Sequence, residues 1–238
     1  MRHQPADIAR GLALVAMITY HAAWFAVSER LISVDLGHIG WVTFQKCIAA
    51  SFFGLVGLSL HLAATPQLRT RPYLKRLGRL AACAAVVTTT SVVLDPRQVV
   101  TFGILHSILA CSLLALPLRH LPDKILLPLA ATLIALGAFA THPVFNDPWL
   151  SWLGMTTHRA PTFDHQPLLP WLGVVLCGLV VGRRLYPSHD VPLARWRSER
   201  PAARGLATMG RHSLLIYMAH VPVLIATMAG LAALLRGR

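Results

Sequence analysis

Asp7-Ile-Ala-Arg10-Gly-Leu-Ala-Leu-Val-Ala-Met-Ile-Thr-Tyr20-His21-Ala-Ala-Trp24 decides how the rest of the chain is read. The stretch is apolar enough to enter a bilayer, yet it opens on a charged pair and carries an imidazole in its body. On a helix, residues 10 and 21 fall about 20° apart around the axis and about 16 Å apart along it. One face therefore holds a cation near the water boundary and a titratable ring deep inside. An ionisable group near a bilayer centre costs roughly 2.5–3.5 kcal/mol on insertion scales, so such a ring is expected to face protein or a water-filled cavity. His21 is the first functional candidate on that ground.

The remainder of the chain agrees with a membrane reading. Of 238 residues, 55% are hydrophobic and 13% charged, against about 25% charged in soluble domains. Seven apolar spans are expected, at 11–27, 39–64, 77–94, 99–118, 125–141, 167–185 and 212–235. The fold class is all-α, a polytopic membrane helix bundle forming one integral-membrane domain over 1–238. Lys and Arg follow the loops: sixteen lie at the N-terminus and in or at the edges of the second, fourth and sixth loops, five on the other side, and Lys46 inside the second span. The positive-inside rule then puts the N-terminus in the cytoplasm. The net charge of +13 is thereby explained by topology and anionic lipid, without nucleic acid as a partner.

No small-x-small cleavage site follows the first apolar run before Glu29 and Arg30, so that run is read as an uncleaved helix. Cys47, Cys83, Cys111 and Cys177 all fall within apolar spans, without the paired spacing of a zinc or redox site, and no metal is expected. No internal repeat is visible, and the Pro- and Arg-rich stretch 186–210 reads as a cytoplasmic loop.

Further polar residues interrupt the spans. Lys46 reads either as a snorkelling side chain above the small-residue face Ala49–Ser59 or as a cation of an outer vestibule. His106, in Thr101-Phe-Gly-Ile-Leu-His106, lies a turn or two below the outer surface, where it bonds a backbone carbonyl or shares a cavity with His21. Asp164 precedes Pro167-Leu-Leu-Pro170-Trp171 at the mouth of the sixth span. It is a candidate to orient an imidazole, to accept bonds from a hydroxylated substrate, or to cap a helix. The last span starts with Arg211-His-Ser213, where a helix N-terminus and a guanidinium suit a phosphate. Inside it, Pro222 removes a donor and frees the carbonyl of Met218 for His220 or a ligand. The basic run Arg69–Arg79 is first a topology and headgroup feature.

The Arg-x10-His opening resembles that of the transmembrane acyltransferases, in particular bacterial proteins similar to the catalytic domain of heparan-alpha-glucosaminide N-acetyltransferase. Four further segments agree in order: Ala50-Ser-Phe-Phe-Gly-Leu-Val-Gly-Leu-Ser59, Phe102-Gly-Ile-Leu-His106, Asp164-x-x-Pro-Leu-Leu-Pro-Trp-Leu-Gly173, and Gly210-Arg-His-Ser-Leu-Leu-Ile-Tyr-x-x-His220-x-Pro222. Val221 departs from the glutamine that relatives often carry before this proline. The chain also lacks the extra spans and luminal domain of the long eukaryotic member, so the acceptor does not carry over.

The resemblance implies acyl transfer across the bacterial cytoplasmic membrane, from cytoplasmic acetyl-CoA to an amine or hydroxyl of a sugar or envelope glycan outside. It places His21 as general base, since imidazole titrates near about 6.5 and is mostly neutral at pH 7. Asp7, Arg10, His106, Asp164, Arg211 and His220 are the expected substrate-binding residues, with Arg10 and Arg211 at the CoA phosphates. Direct transfer in a ternary complex is favoured over an acetyl-imidazole intermediate. Membrane lipid, acyl-CoA, the acceptor and a second copy in a homodimer are the expected partners. A proton-coupled transporter and a non-catalytic membrane subunit are the competing readings. The transporter lacks an inverted repeat in its favour.

Overall fold

The computed structural model describes residues 3–65, 67–158, 162–188 and 191–236. It is all-helical among them, with α1 (Gln4–Ser28), α2 (Ile39–Ala64), α3 (Thr70–Leu94), α4 (Ile104–Leu118), α5 (Asp123–Phe139), α6 (Leu168–Leu185), α7 (Pro192–Arg195), α8 (Pro201–Arg211) and α9 (Ser213–Arg236). Five of them, α1, α2, α3, α6 and α9, are long and apolar enough to cross a membrane. The chain is thus a polytopic helical membrane protein.

Seven helices fall where seven spans are expected, but their ends differ for local reasons. α1 starts at Gln4 rather than 11, because Pro5 suits a first helical turn and Asp7 lies favourably at a positive helix end. α3 starts at Thr70 rather than 77, so the basic run read as loop is already helix. α4 starts at Ile104 rather than 99 and has 15 residues, a rise of about 22 Å against a hydrocarbon core of about 30 Å.

The chain divides into two compact units, residues 1–52 with 192–238 and residues 53–191. In the first, α1 packs on α8 and α9, and Leu14, Met17 and Ile48 form a core that Phe44, Phe52, Met209, Ile216 and Tyr217 cover. Two glycines let α8 lie directly on α1. A Cβ at Gly11 would strike the carbonyl of Leu206, and one at Gly210 would strike the carbonyl of Asp7. Such close backbone approach gives the two helices direct van der Waals contact. α9 leaves Leu215, Val223 and Leu234 exposed, the surface lipid requires.

In the second unit α6 is central, with ten buried residues including Leu172, Val175, Leu176 and Leu179. Its small residues do the packing. Gly178 faces the carbonyl of Gly54 on α2, Gly57 of α2 faces that of Val175, and Gly173 faces that of Ala130 on α5. Phe53 stacks on Trp171 with ring centroids 4.9 Å apart. Leu169, just before Pro170, keeps an extended backbone (φ −97°, ψ 133°) inside the first turn of α6, as the ring of a following proline demands.

Candidate functional site

The first unit brings two imidazoles together. His21 sits on α1, about 10 Å of helix rise before its end, and His220 on α9, about 10 Å after its start. Their ring centroids are 4.9 Å apart with planes at 74°. Nδ1–H of His21 donates to the carbonyl of Met17 at 2.9 Å, and Nδ1–H of His220 donates to the carbonyl of Tyr217 at 2.5 Å. These bonds settle the tautomer of both rings in the same way, leaving each neutral ring a lone pair at Nε2. Nε2 of His220 is buried without a partner, and the residue is only 7% exposed.

A buried polar atom left unpaired costs about 1–3 kcal/mol, so Nε2 of His220 is an acceptor open to a donor group. Aromatic rings hold the pair in place. Tyr20 meets His21 edge-on at 5.6 Å and contacts Trp41 at 6.1 Å and Phe44 at 6.3 Å, while Tyr217 lies 5.3 Å from His220. Pro222, one turn past Met218, supplies no N–H to that carbonyl. Chemically the pair offers two acceptor nitrogens to one small donor group.

Asp7 and Arg10 lie on the same helix. Arg10 donates to Asp7 at 2.7 Å, with the carboxylate 12% and the guanidinium 25% exposed. Asp7 is therefore a partner for Arg10 and lies beneath α8, where Gly210 touches its backbone. Arg211, at the end of α8, is exposed and donates to the hydroxyl of Thr208 at 2.6 Å. Lys46 is exposed on α2.

His106 and Asp164 belong to the second unit. Asp164 accepts the N–H of Ile104 at 2.7 Å. It caps a helix, but that helix is α4, sixty residues away in sequence, and not the span it precedes. The contact works because Gly103 has no Cβ, which would lie 2.5 Å from the carboxylate. Thr88 fixes His106. Its hydroxyl donates to the carbonyl of Val100 at 2.7 Å, so its oxygen accepts from Nε2–H of His106 at 3.2 Å. Nδ1 of His106 is then the bare acceptor, buried and unpartnered.

Sequence spacing left open a cavity shared by His106 and His21; within its own unit, the ring beside His21 is that of His220. Counting turns gives depth along an axis and says nothing of which neighbouring helix faces it. The anchoring roles of Thr88, Tyr20 and Tyr217 were also missed. The signal for the last lay in the i, i+3 spacing of Tyr217 and His220.

Taken together, the helices and the imidazole pair define a polytopic membrane protein with two apposed imidazoles inside one of its units. Residues 2–222 match the family model described as heparan-alpha-glucosaminide N-acetyltransferase, catalytic, and the chain belongs to that family. Membership makes it a member of a membrane acetyltransferase family. No curated protein and no solved structure matches the chain.

Proposed function

We propose that the protein transfers an acetyl group from cytoplasmic acetyl-CoA to an amine or hydroxyl of a sugar or cell-envelope glycan on the other side of the bacterial cytoplasmic membrane, with His21 as general base. The observation that carries this reading is the imidazole pair, in which each Nδ1 is tied to its own helix and each Nε2 is left bare. The orientation rests on the Lys and Arg bias among the loops.

In the proposed step, Nε2 of His21 takes a proton from the acceptor nitrogen or oxygen as that atom attacks the thioester carbon. The C–S bond breaks, the acyl bond to the acceptor forms, and the CoA thiolate leaves with the proton that the imidazolium returns. With an amine acceptor, His220 orients the nucleophile by accepting its second N–H at its own Nε2. Asp7 holds Arg10, and Arg10 and Arg211 attract the CoA phosphates. Arg10 precedes His21 by about 16 Å of helix rise, roughly the length of a pantetheine arm. Asp164 is committed to α4, and His106 keeps an unpartnered acceptor at Nδ1.

The test is incubation of purified protein with labelled acetyl-CoA and a panel of amino sugars and envelope glycans. The reading expects label on at least one acceptor, lost in His21→Ala and reduced in His220→Phe. Acetyl-histidine trapped by rapid quench would replace direct transfer with the two-step route. Absence of both transfer and CoA binding would leave transport or a structural role.

A further inference from the structure

A second cluster of donors lies away from the imidazole pair. Where α2 and α6 finish and α4 turns into α5, the second unit contains a cavity of about 300 Å³ lined by His61, Thr65, Gln67, Arg119, His120 and Arg183 together with Ala64, Leu68 and Leu179. None of the nine is acidic. The volume sits at the lower end of the roughly 300–1,000 Å³ typical of small-ligand sites, enough for a headgroup and too little for a whole coenzyme.

Arg183 builds the wall. It donates to the carbonyls of Arg119 and Leu121 and to Asp123. Those bonds satisfy the carbonyl of Arg119 at the C-terminal end of α4 and that of Leu121 in the connection to α5, and offset the negative end of the α4 dipole. Asp123 in turn neutralises Arg183. Positive charge on Arg119 and, when protonated, on His120 is then left over. Neither forms an ion pair with a carboxylate among the described residues. His61 is fixed to the carbonyl of Tyr186 at 2.9 Å, so the lining is rigid on two sides. A half-buried guanidinium without a carboxylate, beside a histidine and the amide of Gln67, is a set of donors with no acceptor of matching charge. That chemistry fits a phosphate.

We propose that this cavity is a phosphate-binding site that takes one phosphomonoester or diphosphate group through Arg119, His120 and Gln67. The group belongs to a soluble nucleotide or to an anionic phospholipid headgroup. The assignment stands apart from the acyl-transfer reading, because it involves neither His21 nor Arg10.

The experiment uses full-length protein in an uncharged detergent, with two probes. Adenosine 3′,5′-bisphosphate is titrated by calorimetry, and retention of phosphatidylglycerol over phosphatidylcholine is read by native mass spectrometry. Arg119→Gln is expected to weaken one of the two by about tenfold or more, and Arg119→Lys by clearly less. Arg97→Gln, an exposed change between α3 and α4, leaves both unchanged. Loss in the nucleotide arm or in the lipid arm names the source. Unaltered binding of both probes to Arg119→Gln, or a wild type that binds neither, overturns the site. If Arg119→Gln does not fold, His120→Gln, at an exposed position, decides by the same criterion. Loss of acetyl transfer in His21→Ala with intact probe binding separates this site from the catalytic reading.

Discussion

Two glycines on one short helix make opposite predictions. A Cβ at Gly210 would lie 2.7 Å from the carbonyl carbon of Asp7 and 3.1 Å from its Cα. Carbon atoms pack at about 3.5–4.0 Å, so α8 must lift from α1 by roughly 1 Å, and backbone has no rotamer with which to yield. Overpacking of this kind costs about 1–3 kcal/mol, while replacing a helical glycine by alanine returns about 0.8–1 kcal/mol. Gly210→Ala should therefore lose up to about 2 kcal/mol, or roughly 4–8 °C in Tm for a chain of this size. At Gly205, five residues earlier, a Cβ meets nothing within 4 Å. Gly205→Ala should gain up to about 1 kcal/mol, roughly 2–4 °C. Thermal unfolding of both variants in one detergent provides the assay. The reasoning fails if Gly210→Ala matches or exceeds Gly205→Ala.

Three further outcomes are expected. Asp164→Asn keeps an oxygen for the N–H of Ile104 and should unfold near the wild-type temperature, whereas Asp164→Ala should lose about 0.5–2 kcal/mol as a cap does; equal Tm values for all three would remove the cap. Thr88→Val takes away the acceptor of Nε2–H of His106 and should destabilise by about 1–3 kcal/mol, read by denaturation against Thr89→Val. Thr89 bonds only its own helix, to the carbonyl of Ala85, and its loss should be small. His220→Asn keeps a polar group but not the ring, so it should lower kcat more than it raises KM for acetyl-CoA; a pure KM effect would move His220 to donor binding.

Most of the helical layout was legible because a bilayer imposes a coarse rule. Each span needs a run of apolar residues, and all seven runs appear as helices. The ends were less legible where charge and helix coincide: Arg71, Lys75, Arg76 and Arg79 are polar, yet they lie within α3 because helix formation does not stop at the lipid boundary. Pairings across helices were illegible in principle. Nothing in the residues around Asp164 says that its partner is the N–H of Ile104, although Gly103 before a helix start marks a place where something must approach closely. His220 was visible as a polar interruption beside Pro222, but its position against His21 depends on how α9 and α1 pack, which single-helix periodicity does not encode. The division of the chain at Phe52 and Pro192 likewise arises from contacts between distant segments.

The central claim is that the ring of His21 takes the acceptor proton during acetyl transfer, and single-turnover transfer from labelled acetyl-CoA by wild type and His21→Ala tests it most directly. The account predicts a rate lower by about 10²–10⁴-fold, with acetyl-CoA affinity and Tm close to wild type. A His21→Ala protein that transfers acetyl groups at the wild-type rate would contradict it.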